Sequence, residues 1–196
     1  KSAMAWRDLE EATGSTEWAV YYEEAVRSAL AGHAEFLPGS EDQEKVMDRL
    51  HAYCYFLEGL LPVASREVAS EALDSGIART GDLLRRIAPI FARSDVYAQL
   101  LRVRLYAHAM GNVALDEDAA NEEAESLARF HCDGGEPRLK DGFWFGVRQG
   151  AELPFMNPVS TAFAMQALES WHEHSAGEFR ARRVDLCRVH RRRTRR

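Results

Sequence analysis

Residues 51–62 read HAYCYFLEGLLP, and residues 94–110 read SDVYAQLLRVRLYAHAM. Both stretches are apolar almost all the way round a helical wheel. A helix of that kind is buried on more than one side. Each also carries a polar stripe at one interval. His51, Tyr55 and Glu58 stand at i, i+4 and i+7, and Asp95, Gln99 and Arg102 repeat that spacing. Each trio therefore shares one helix face. A third apolar stretch, PVSTAFAMQAL (158–168), carries no charge before Glu169.

The intervening segments differ. REVASEALDSGIARTGDLLRR (66–86) and DEDAANEEAESLAR (116–129) are charged over much of their surface. The 3.6-residue period predicts six helices, over about 16–32, 41–61, 65–92, 95–111, 117–131 and 157–174. Ser40 with Gln43 reads as a capping box for the second, and Pro62 as its stop. Gly76 and Gly81 interrupt the third. Ser94 reads as the N-cap of the fourth, and Asn157 with Pro158 opens the sixth. No strand pattern competes, and a long loop fills about 132–156. The expectation is an all-α domain of three helical hairpins, with apolar inner helices alternating with charged outer ones. That arrangement describes a partial α/α toroid. A four-helix bundle or a solenoid would show one apolar stripe per helix instead.

Composition sets the outer bounds. The 196 residues are 46% hydrophobic and 29% charged, ordinary usage for a globular chain with one core. No apolar run reaches the roughly 18 residues of a membrane span. The opening KSAMAWRDLEEATG has no apolar signal core, so the expected location is cytoplasmic. Cys54, Cys132 and Cys187 are odd in number and lack CxxC spacing, against a disulfide scaffold or zinc ribbon. The net charge of −6 is uneven. Nine arginines fall within 180–196 against Asp185, leaving residues 1–179 with 16 basic and 30 acidic side chains. The expectation is one domain over 1–179 and a disordered basic tail. An acidic body with no aromatics among the tail arginines argues against nucleic acid as partner.

Three blocks carry a family resemblance: HAYCYFLEGLL (51–61), DVYAQLLRVRL (95–105), and DGFWFG (141–146) with PFMNPVSTAFAMQAL (154–168). Over about 40–175 the chain resembles the α/α-toroid superfamily of six-hairpin glycosidases, sugar epimerases and terpenoid-cyclase-like domains. It looks like bacterial toroid proteins with comparable blocks in this order. A full ring of that family has six inner helices, and three are counted here. The resemblance thus implies the C-terminal half of a toroid, its open edge covered by self-association or by an N-terminal half. The cyclase acid motif DxDD is absent. Gln166 and Trp171 resemble the cyclase Gln–Trp repeat, without its glycine.

A water-filled pocket at the inner-helix ends would satisfy both polar stripes at once. In that reading Glu58 and Asp95 are the acid/base carboxylates, and His51, Tyr55, Gln99 and Arg102 bind the ligand. Asp95 in a first helical turn, or a Glu58–Arg102 pair between helices, has a purely structural reading as well. The loop adds Asp141, Trp144, Arg148, Glu152 and Asn157. Aromatics beside Arg, Gln and Glu suit a saccharide. Of the three adjacent aromatics, Phe143 and Phe145 are expected in the core and Trp144 exposed. No cofactor and no metal are expected. His131, Cys132 and Asp133, or His172 and His174, are too close in sequence to share an ion. GxxxxGK[ST], GxGxxG and GxSxG are absent. The leading functional expectation is a carbohydrate-active toroid of hydrolase or epimerase type. The alternative is a non-catalytic interaction or scaffold domain, and the third a terpenoid-binding cup.

Overall fold

A computed structural model describes residues 2–39, 41–111 and 113–181. Among these are seven α-helices: α1 (Ser2–Thr13), α2 (Ala19–Phe36), α3 (Gln43–Leu60), α4 (Glu67–Ile87), α5 (Ser94–Met110), α6 (Glu117–Ala128) and α7 (Pro158–Ser175). The fold is all-α, with two features that periodicity did not reveal. Helix α1 is 12 residues long and buries only Met4, so its apolar signal is thin. It rests on α2 through Trp6, 5.6 Å from the Tyr21 ring. The loop before α7 holds β2 (Gly146–Arg148) and β3 (Ala151–Glu152), which form a small antiparallel sheet with β1 (Phe91–Arg93) from the α4–α5 connection. Segments of two or three residues are too short to display a period.

Side-chain pairs fix the helix directions. His51 meets Asp95 and Glu58 meets Arg102, so α3 and α5 run the same way. Arg102 lies over Phe163, and His108 faces His174, so α7 runs with them. Helix α6 returns between α5 and α7. Arg104 pairs with Glu123, and His174 at the end of α7 reaches Glu117 at the start of α6. Helix α4 returns along α3, with Gly76 against Leu57 and Tyr53. Three co-directional helices are thus laced together by two that run back.

Helix α5 is the axis of the core. Every residue from Ser94 to Ala107 is buried, among them Leu100, Leu101 and Leu105. Leu50 and Leu57 of α3 and Leu73 and Leu84 of α4 close on it. The expected break at Gly76 and Gly81 does not occur, for α4 is continuous through both. Gly76 serves close approach instead. A Cβ there would sit 2.6 Å from Leu57 Cδ2 and 3.0 Å from the Tyr53 hydroxyl.

The helix starts are partly as expected. Asn157 caps α7, its Oδ1 accepting from the Ser160 amide at 2.7 Å, with Pro158 first in the helix. Asp42 caps α3 by accepting from the Glu44 and Lys45 amides, in the role expected of Ser40, which lies outside the described residues. Ser94 is not the cap of α5 but its first residue. Its amide is used by the loop, donating to the Phe145 carbonyl at 3.0 Å.

Helix α7 is not buried on several sides. It packs through Ser160, Ala164 and Ala167, small residues that let it come close to α5. Its other face is open, with Val159 57% and Met165 54% exposed. Most of the basic tail, from 182 onward and including Cys187, lies outside the described residues.

Candidate functional site

The two polar stripes face each other across the α3–α5 seam. His51 Nδ1 lies 3.4 Å from Asp95 Oδ2, and Arg102 Nη2 lies 3.3 Å from Glu58 Oε1. Asp95, Gln99, Arg102 and Glu58 are all buried. The i, i+4, i+7 interval is the reason. Repeated on two co-directional helices in register, it stacks the two pairs about two turns apart, with Tyr55 and Gln99 on the turn between.

Both carboxylates are occupied by guanidinium groups. Arg93 Nε and Nη2 donate to the two oxygens of Asp95 at 3.0 and 2.7 Å, and its Nη1 donates to Asp48. The Arg93 guanidinium also stacks 4.7 Å over the Phe145 ring. Arg102 pairs with Glu58 and lies 5.4 Å from the Phe163 ring centre. The fork on Asp95, and the single 3.3 Å contact on Glu58, position these carboxylates but leave them poorly placed to shuttle protons. Sequence reasoning missed Arg93. It stands outside any helical period, in β1, and only its position two residues before Asp95 could have signalled it.

Gln99 sits between the two pairs, with His51 and Tyr55 as its polar neighbours on α3. It is 2% exposed, and neither its Nε2 nor its Oε1 makes a hydrogen bond of ordinary geometry. Ser160 Oγ on α7 is likewise buried and unpaired. His51 and Tyr55 are half-buried, their rings edge-to-face at 4.8 Å, and Phe163 lies 6.4 Å beyond Tyr55. Burial holds the His51 imidazolium below the ordinary histidine range, only partly opposed by Asp95. Burial likewise raises the Tyr55 phenol. His51 is thus the neutral imidazole at pH 7.

The loop residues do not join this seam. Asp141 is exposed, in left-handed backbone at φ 63°, and 3.8 Å from His131. Glu152 is exposed in β3. Arg148 is exposed, donates to Glu44 at 3.0 Å and covers the Phe91 ring. Asn157 is a helix cap. Phe143 is buried as expected, but Trp144 is not an exposed platform. Trp144 is half-buried against the core, its amide donating to the Phe130 carbonyl at 2.8 Å. The exposed aromatic of this loop is Phe155, 48% accessible and stacked on Phe145 at 4.9 Å. Alternation along the strand-like 143–145 segment holds for Phe143 and fails for its neighbours: Trp144 is half-buried, and so is Phe145, which stacks with Arg93 and Phe155 outside the core cluster.

Among the described residues no three His, Cys, Asp or Glu side chains gather as a metal site would need, and no helix is long and apolar enough to cross a membrane. The chain gives no significant match to any protein-family model, curated protein or solved structure.

Proposed function

We propose that the chain is half of an α/α toroid acting as a non-catalytic interaction domain, which docks a helical partner on the free flank of α7. One observation carries this reading. Val159, Ala162 and Met165 line the side of α7 opposite its buried Ser160–Ala164–Ala167 stripe. An apolar helix flank beside a packed neighbour is an interrupted helix–helix contact. Three co-directional inner helices with two outer returns support the half-ring. The pairing of Glu58 and Asp95 with arginines supports binding over catalysis.

A second copy of the chain is the direct probe. Sedimentation should show concentration-dependent association, weakened at least tenfold by Met165→Asp, since a buried charge costs more than the roughly 1.4 kcal/mol that a tenfold change represents. A wild-type chain that stays monomeric at every concentration, indistinguishable from Met165→Asp, sinks the reading.

A second reading, a saccharide-class ligand bound on the loop face, is favoured by the Phe155–Phe145 stack. It forms a half-exposed aromatic shelf on the loop that carries Arg148 and Glu152. Sugar rings stack on such shelves while charged groups read their hydroxyls. A glycan array compares the protein with Phe155→Ala. Absence of any glycan bound by the unmutated chain removes this reading.

A further inference from the structure

The Gln99 amide is a polar group in the wrong solvent. It is 2% exposed and makes no well-formed hydrogen bond, although a buried primary amide carries two donors and an acceptor with two lone pairs. Native interiors satisfy such groups almost without exception, so an unsatisfied one calls for an explanation. Ser160 adds a second. Ser160 lies on the buried face of α7, the face that packs against α5, the helix that carries Gln99. Its hydroxyl is also buried and unpaired.

The charges around Gln99 are already balanced. Asp95 is held by Arg93, and Glu58 by Arg102. An incoming ion would have to break one of those pairs, at the desolvation cost of the group left behind. A neutral molecule would not. Gln99 neighbours His51 and Tyr55, and Phe163 continues their row, three half-buried rings with centroid spacings of 4.8 and 6.4 Å. Flat ligands stack on such rings.

We propose that Gln99 is the reading group of a binding site for a flat, neutral ligand with a cis-amide edge, a lactam or an aromatic carboxamide. Gln99 Nε2 donates to the ligand carbonyl, and Gln99 Oε1 accepts from the ligand N–H. The two bonds form a closed ring of complementary donors and acceptors. Ser160 adds a third polar contact, and Tyr55 or Phe163 turns outward to admit the ligand face. The site lies at the α3–α5–α7 seam and does not depend on what docks at the α7 flank.

The test titrates the isotopically labelled full chain with 2-pyridone and with benzamide, and follows the Gln99 side-chain NH₂ resonances. Benzoate and benzylammonium are the charged controls. Both amides are expected to give saturable shifts, and the charged compounds none. Gln99→Leu removes the amide at similar volume. It should weaken binding at least tenfold, the scale of the two hydrogen bonds lost, while the thermal midpoint holds or rises. Ser160→Ala should weaken binding severalfold, a readout independent of Gln99→Leu. A fall in the midpoint of Gln99→Leu overturns the proposal, because it means the amide is satisfied within the protein. So does the lack of a saturable Gln99 shift with either amide, or equal binding of the charged controls.

Discussion

Removing Arg104 should cost an amount that depends on pH in a way its geometry dictates. Arg104 and Glu123 pair across α5 and α6 with 7% and 4% of their side chains exposed. Two hydrogen bonds join them, Nη2 to Oε1 at 2.6 Å and Nε to Oε2 at 3.1 Å. Arg104→Met keeps an unbranched apolar stem, removes the guanidinium and strands the carboxylate. An uncompensated buried charge typically costs about 3–5 kcal/mol. Glu123 has an escape, however, which is to take up a proton. Burial already pushes its carboxyl above the ordinary value of 4.5, against the pull of Arg104. Each pH unit is worth about 1.4 kcal/mol, so from the ordinary value of 4.5 keeping the acid neutral at pH 7 costs at most about 3.4 kcal/mol, and at pH 5.5 about 1.4. In the variant the folded state holds a proton that the unfolded state releases, so stability falls as pH rises above 4.5. For a chain of this length about 3 kcal/mol is a midpoint drop of roughly 6–12 °C. Urea and thermal unfolding at pH 5.5 and 7 measure it. The double variant Arg104→Met/Glu123→Leu should return to within about 1 kcal/mol of the parent, because the charge and its desolvation leave together. A single-variant loss below about 1 kcal/mol at pH 7, or one that does not change with pH, would refute the reasoning.

Gly76→Ala should cost about 1–3 kcal/mol in urea unfolding, since the new methyl meets Leu57 at 2.6 Å where α3 and α4 touch. A neutral or stabilising result would mean that the two helices separate freely. His51 and His33 are both held below their ordinary range by burial, so the unfolded chain binds protons that the folded one refuses. Their contribution is complete above the ordinary histidine value and is lost as pH falls below it. The thermal midpoint should therefore drop between pH 7.5 and 5.5, and His51→Gln should flatten that slope. A slope unchanged by His51→Gln removes His51 as its source.

The shared polar face of α3 and α5 was legible because both helices repeat one polar interval on apolar ground. Two equal stripes on adjacent helices define a seam before any coordinate is known, and His51, Glu58, Asp95 and Arg102 do meet there. Arg93 was illegible because its role depends on a three-residue strand that pairs with residues more than fifty positions away. Trp144 was misplaced for a related reason. Adjacent aromatics in a loop carry no face until the partner strand is known. Met165 shows the converse limit. An uncharged helix reads as buried all round, yet the count of apolar residues does not say how many neighbours are present to cover them.

The three strand segments bind the 143–153 loop to the connection between α4 and α5. Gln149 donates to the Ile90 carbonyl, and Ser94 to that of Phe145. That connection exists only once α4 and α5 have closed as a local hairpin, whereas the loop must return across more than fifty residues. Local closure precedes distant closure in any chain of this topology. The loop is thus a late-forming layer laid on an early template. In hydrogen exchange its amides at 146–148 can be no better protected than the α4–α5 hairpin beneath them, while that hairpin can outlast the loop.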